Sequence, residues 1–296
     1  MAKSVFILST GRSGTTSLAD LLSMVPGAVI VHEARPKLLA EAQRFRKGEI
    51  SKEVLVCLLR SSRNADLFGA TSIWGESNQR LSFVLPALAE AFPNARYILL
   101  HRDGREVVDS LHHRLWYQPG EEYLRHPDLV DWVATRFVGA DFGMPKDRWD
   151  SMTPFAKCSW YWALVPKLVR ADAKALGINL LELRLEDLDQ SRSELEKFLD
   201  LPLGSLPVAP KSNPTKSRRR SWRAWSPRMR HDFENYSGAE MDIVYPEWRL
   251  EFKWDAVDEL ICQVHRPLEV LRLTKLWVCA WRRGQVEAAS GKEKSK

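Results

Sequence analysis

The stretch STGRSGTTSL, residues 9–18, gathers the groups that hold anions. It follows the continuous apolar run VFIL, the pattern of a buried parallel strand, and leads into Leu18, Leu21 and Leu22 at helical spacing. A strand–loop–helix turn aims several backbone N–H groups and the positive end of the helix at one spot. Arg12 adds a fixed charge able to bind two oxygens at once. Gly11 and Gly14 frame the loop, and Ser13, Thr15, Thr16 and Ser17 offer hydroxyls to the same oxygens. A Walker A loop would read G-x-x-x-x-G-K-[ST], with its lysine on the β- and γ-phosphates. Aligned on Gly14, this chain has Ser9 where the first glycine belongs and Thr15 where the lysine belongs. The missing lysine argues against a γ-phosphate. No apolar strand ends in a clear Walker-B aspartate, so the anion is expected to be handled without a catalytic metal ion.

A second set of anion-binding groups lies in YILLHRDGREVVDSLHH, where Arg102 directly follows an expected strand and Ser110 comes eight residues later, about two helical turns on. An arginine at a strand's end and a serine on the inward side of the next helix can grip a second phosphate beside the first. Acid–base chemistry has its best candidates in AVIVHEA, which sets His32 and Glu33 at the end of another strand. In a strand the two point to opposite faces, so one of them would face the first loop, and Glu33 is preferred as general base. His112, His113 and Glu76 are weaker candidates.

These groups need a scaffold. Short apolar runs at SVFIL, AVIV, ARYILL and INLLELR read as four strands. Helical patterns separate them: TTSLADLLSM, one or two helices from 35 to about 62, QRLSFVLPALAEAF, EVVDSLHHRLW, and SWYWALVPKLVRADAKALG with a kink expected at Pro166. Alternating strands and helices predict an α/β, P-loop-like three-layer fold, a central parallel sheet with helices on both faces. Ligands then bind at the C-terminal edge of the strands, where all three candidate loops emerge.

Both anion-binding motifs, STGRSGTTSL and RDGREVVDS, resemble those of the sulfotransferases that use 3′-phosphoadenosine-5′-phosphosulfate (PAPS). The late run LELRLEDL, residues 181–188, is similar to that family's R-x-E-D-L strand end. The resemblance spans roughly residues 4–250. It implies that the first loop holds the 5′-phosphosulfate, that Arg102 and Ser110 hold the 3′-phosphate, and that a glutamate or histidine in the region of Glu33 and His32 serves as base. Arg12 places the loop nearer the carbohydrate-type and bacterial branch than the phenol and steroid branch, where lysine usually stands. In the family a late basic loop folds over the 3′-phosphate, a position here occupied by Arg218, Arg219 and Arg220. Two residues depart from the pattern. Ser77 follows Glu76 where the family often has lysine, so the lysine's role would pass to Arg80 or elsewhere. Gly104 replaces the proline of the usual R-D-P.

The expected activity is O-sulfotransfer to a hydroxyl of a carbohydrate, lipid or small natural product, with adenosine 3′,5′-bisphosphate as the other product. The competing readings are a P-loop small-molecule kinase and a non-catalytic binder of an adenosine bisphosphate or polyanion. A chain of 296 residues with net charge +6 suits anionic partners, and the triple arginine is read as a loop rather than a nucleic-acid signal. Cys57, Cys158, Cys262 and Cys279 are widely spaced and form neither a disulfide framework nor a zinc pattern. With no apolar run long enough for a signal peptide or a membrane span, the expectation is a cytoplasmic protein. The domain is expected over 1–250, a basic amphipathic helical extension over 251–283 that could touch an anionic membrane, and a disordered tail over 284–296. Trp116, Trp132, Trp160, Trp162, Trp222 and Trp225 are candidates for lining an acceptor pocket.

Overall fold

The computed structural model describes residues 2–63, 69–119, 130–208 and 221–251. Arg218, Arg219, Arg220 and the extension after residue 251 lie outside them. Five strands form one sheet: β1 (Lys3–Ser9), β2 (Val29–His32), β3 (Ile73–Ser77), β4 (Arg96–His101) and β5 (Leu180–Arg184). The order is β2-β3-β1-β4-β5 and every pairing is parallel. Because all strands run the same way, the loops after Ser9, His32, Ser77 and His101 open on one edge.

Alternation along β1 shows how the layers form. Val5 and Ile7 pack with Leu18, Leu21 and Leu22 of α1 (Thr15–Ser23) and with Leu195 of a late helix. Phe6 and Leu8 point the other way, into a larger core with α2 (Leu39–Arg46), α3 (Lys52–Ser62), α4 (Leu85–Ala91) and α5 (Gly104–His113). Short helices α6 (Val130–Ala134) and α7 (Lys146–Ser151) precede the long α8 (Pro154–Leu176). They are followed by α9 (Arg192–Phe198), α10 (Pro227–Val244) and α11 (Trp248–Glu251). Each fully buried β1 side chain contributes about 1.5–3 kcal/mol, and together they hold the first loop against a rigid floor. Pro166 does not end α8, which runs through it from its Thr153 cap to Gly177.

The sheet contains one strand more than the sequence reading expects. IWGES, with a glycine and two polar residues in five, lacks an apolar run, yet all five residues of β3 are buried because it lies between β1 and β2. Gly75 permits this: a Cβ there would lie 2.6 Å from the Val5 carbonyl oxygen and 2.8 Å from Ile30 Cδ1.

Candidate donor and base site

The first loop turns tightly, with Arg12 at φ 73° and Gly14 at φ 77° in the left-handed region. Gly14 caps α1, and a Cβ on it would meet Leu185 at 2.5 Å. Gly11 is equally confined, since a Cβ there would lie 2.5 Å from Gln79 Oε1. Ser82 fastens the start of the loop by donating to the Ser9 carbonyl (3.0 Å) and accepting from its N–H (2.9 Å). Not every hydroxyl faces a ligand: Ser13 is buried and shares a hydrogen bond with Thr10 (2.5 Å). Thr16 is exposed, with Thr15 and Ser17 half-buried at the start of α1.

Three arginines converge beside this loop. Arg12 Nε donates to Ser110 Oγ at 3.4 Å, and Arg102 Nη1 donates to the Arg12 carbonyl at 3.2 Å. Glu106, one turn along α5, orients Arg102 through a 2.6 Å ion pair. Burial first, then the nearby charges of Arg114 and Arg102, hold the Arg12 guanidinium below its ordinary pKa. Like charges near one another disfavour the charged form, and a bound anion would offset that repulsion. Arg102 and Ser110 are thus both brought against Arg12. Arg114 was not among the sequence candidates, although its position four residues after Ser110 puts it on the same helix face.

α5 itself is fixed from behind. Asp103 caps it and pairs with Arg105 (2.6 Å), which lies over Trp222 (4.3 Å), while Trp225 Nε1 donates to Asp109 at 2.9 Å. Gly104 is forced by this packing, because a Cβ there would lie 2.8 Å from Trp162 and 2.9 Å from Met241 Sδ.

On the other side of β1 stand the base candidates. The strand ends at His32, and Glu33 takes φ 51° with its N–H on the Ser77 carbonyl (3.0 Å). This turn overrides strand alternation, so His32 and Glu33 do not diverge: His32 Nε2 and Glu33 Oε1 are 4.0 Å apart. His32 Nδ1 is bonded to Ser77 Oγ (2.8 Å), and Glu33 pairs with Lys37 at 3.2 Å. Beneath them Arg63 and Glu76, both 0% exposed, pair at 2.7 Å. Arg63 also donates to the carbonyls of Ala34 (3.3 Å) and Pro36 (2.8 Å), and so fixes the turn that carries Glu33. Glu76 is therefore a buried anchor rather than a base. No spacing signal links it to Arg63, which lies in a different element.

Arg80 follows β3 and is 4% exposed. It donates to the carbonyl (2.8 Å) and hydroxyl (3.2 Å) of Thr135, and its guanidinium lies 5.1 Å from the rings of both Trp132 and Phe137. Burial brings its pKa down to about 10, Arg136 pushing the same way while Tyr161, Tyr117 and Glu33 act against it. Tyr161 joins this group to the floor of the loop, donating to Gln79 Oε1 (3.3 Å), the atom that confines Gly11.

The tryptophans divide. Trp162, Trp222 and Trp225 are each 2% exposed and belong to the core behind α5, so they line no acceptor pocket. Trp116 is buried under Arg136, whose guanidinium carbon is 3.5 Å from the ring centre. Trp132, half-buried, lies beside Glu33's partner Lys37 (5.7 Å), and Trp160 packs edge-on against Trp149 at 5.0 Å. His113 bonds back to the Asp109 carbonyl within α5 (2.8 Å), and His112 packs on Phe155 of α8 (5.3 Å). Among the described residues no helix is long and apolar enough to cross a membrane.

Residues 4–140 match the model of a family described as the sulfotransferase family. No curated protein sequence matches the chain. A sulfotransferase from Alicyclobacillus acidocaldarius is similar at 15% identity and a TM-score of 0.46, covering 82% of this chain and 96% of that one. The sulfotransferase STF9 from Mycobacterium avium is 12% identical, with a TM-score of 0.44 over 82% of this chain and 77% of that one. For STF1 from Mycobacterium tuberculosis H37Rv the values are 15%, 0.43, 79% and 77%.

Proposed function

We propose, from the match of residues 4–140 to the sulfotransferase family model, that this protein transfers the sulfuryl group of PAPS to an acceptor hydroxyl. The acceptor class is a carbohydrate, a lipid or a small natural product. The observation that carries the reading is the meeting of the two anion motifs at one place, Arg12 on Ser110 and Arg102 on the Arg12 carbonyl. A donor with a 5′-phosphosulfate and a 3′-phosphate presents two anions to such a pair of motifs, whereas AMP presents one.

The roles divide by strand. The loop after β1 and Arg12 bind the 5′-phosphosulfate, and Arg102, Ser110 and Arg114 after β4 bind the 3′-phosphate. Glu33 after β2 takes the proton of the acceptor hydroxyl as its oxygen bonds to sulfur and the bond from sulfur to the 5′-phosphate oxygen breaks. The electron pair of that bond leaves with the phosphate, where Arg12 and the loop N–H groups stabilise it. Lys37 and the Arg63-held turn keep the Glu33 carboxylate in place.

Thermal melting tests this directly, since a ligand that binds only the folded state raises its stability. Adenosine 3′,5′-bisphosphate should give a large shift, AMP a small one and Mg-ATP no more than AMP. A shift confined to Mg-ATP would replace this reading with a kinase.

A further inference from the structure

We infer that Arg80 forms a second oxyanion-binding position on the Glu33 side of the loop, beyond the two phosphates of the donor; this rests on the PAPS reading. The first support is an unmet donor. Arg80 is 4% exposed and its Nε has no hydrogen-bond partner. Both terminal nitrogens are already committed to Thr135, and the guanidinium is held between Trp132 and Phe137. A buried charged N–H left without an acceptor is costly unless a ligand supplies one.

The second support is charge. Arg80 has no ion-pair partner among the described residues, and the carboxylate that acts on it, Glu33, is already paired with Lys37. The third is position. Strand order puts the loop after β1 between Arg102, after β4, and Arg80, after β3. Neighbouring strands are about 4.8 Å apart, so Arg80 stands two strands from Arg102 and is separated from the 3′-phosphate side. Tyr161 lies between them, its hydroxyl donating to the side chain of Gln79, the neighbour of Arg80 in the chain, and that side chain in turn confines Gly11 of the loop. The oxyanion is a sulfate, sulfonate or carboxylate. It belongs either to the sulfuryl group of the donor or to an anionic substituent of the acceptor near the hydroxyl that Glu33 deprotonates.

The test is a titration of inorganic sulfate, against chloride at equal ionic strength, into the full chain saturated with adenosine 3′,5′-bisphosphate. Wild type should show a saturable rise in melting temperature above that given by the bisphosphate. In Arg80→Gln the half-saturating sulfate concentration should rise roughly 10–100-fold, while the bisphosphate shift persists. Arg80→Lys, which keeps the charge without the fixed fork, should fall between. If neither variant folds, the Arg80 Nε–H resonance of the wild-type protein should move on adding sulfate. No sulfate effect beyond chloride, or an equal effect in the variants, would overturn the inference.

Repeating the titration with PAPS in place of the bisphosphate separates the two sources. Loss of the sulfate effect assigns the position to the donor's own sulfuryl group, and its survival assigns it to the acceptor. A missing bisphosphate shift would instead remove the PAPS reading. The sulfate titration of wild type against Arg80→Gln would then still decide whether Arg80 binds an oxyanion.

Discussion

Arg12 Nε and Ser110 Oγ lie 3.4 Å apart although 98 residues separate them in the chain. The contact joins the loop after β1 to the helix after β4, neighbouring strands in the sheet. It brings the two anion motifs together at one place, which is what the proposed donor with its two phosphates requires.

Removing the guanidinium on the 3′ side should discriminate between ligands. Arg102→Ala is expected to weaken adenosine 3′,5′-bisphosphate about 10–100-fold, the value of one or two charge-assisted hydrogen bonds, and to leave AMP nearly unchanged. Titration calorimetry with both ligands checks this. Equal losses would mean that Arg102 supports the loop through the Arg12 carbonyl rather than binding phosphate.

Glu33→Gln keeps the shape of the side chain and removes its basicity. Turnover should fall about 10²–10⁴-fold, the usual contribution of a general base, with the bisphosphate melting shift preserved. Turnover at the wild-type rate would rule Glu33 out and turn attention to His32, 4.0 Å away.

Restoring the family's proline should fail. Proline suits the first turn of a helix, but any Cβ at Gly104 meets Trp162 at 2.8 Å. Gly104→Ala and Gly104→Pro should each cost about 1–3 kcal/mol, measured by urea denaturation. A stabilised Gly104→Pro variant would show that α5 can slide away from α8.

The buried pair under the base turn should behave as an anchor. Arg63→Met leaves Glu76 unpaired in the core and should cost about 3–5 kcal/mol. Because Arg63 also holds the Ala34 and Pro36 carbonyls, any folded fraction should lose turnover while still binding the bisphosphate. Loss of bisphosphate binding along with turnover would contradict that division.

Acid should expose a different network. Burial alone would raise the Glu182 pKa, but hydrogen bonds from His101 and Arg170, with their charges, outweigh it and bring it down to about 2. Its folded pKa lies below the unfolded one, so its contribution is present above the ordinary carboxylate range and is lost as pH falls through about 2. Glu240, the other carboxylate on Arg170, is shifted upward by burial and acts in the opposite sense. Melting temperature followed downward in pH from 4.5 to 2 should fall less steeply in Glu182→Gln than in wild type. Parallel curves would show that Glu182 titrates alike folded and unfolded.

Much of this site is legible in the residues because its parts are local. VFIL followed by STGRSGTT is a strand, a turn and a helix start within twelve residues, positions 5 to 16. The spacing of Arg102 and Ser110 needs only a strand end and a helix of ordinary pitch. β3 was missed because its five residues carry a glycine, a glutamate and a serine, and its burial comes from neighbours on both sides. The pairing of His32 with Glu33 was misjudged because alternation holds only while the strand continues, and here it stops at His32.

The sequence by itself determined four of the five strands and the helices between them, the anion loop, and the residue types at those strand ends, since each depends on contacts a few residues apart. Tertiary structure alone decided which of those ends are neighbours. It set Arg114 beside Arg12, buried Glu76 under Arg63, and left Arg80 Nε without an acceptor. Those relations follow from how a parallel sheet orders its strands and how its core closes over charges, and no spacing along the chain encodes either.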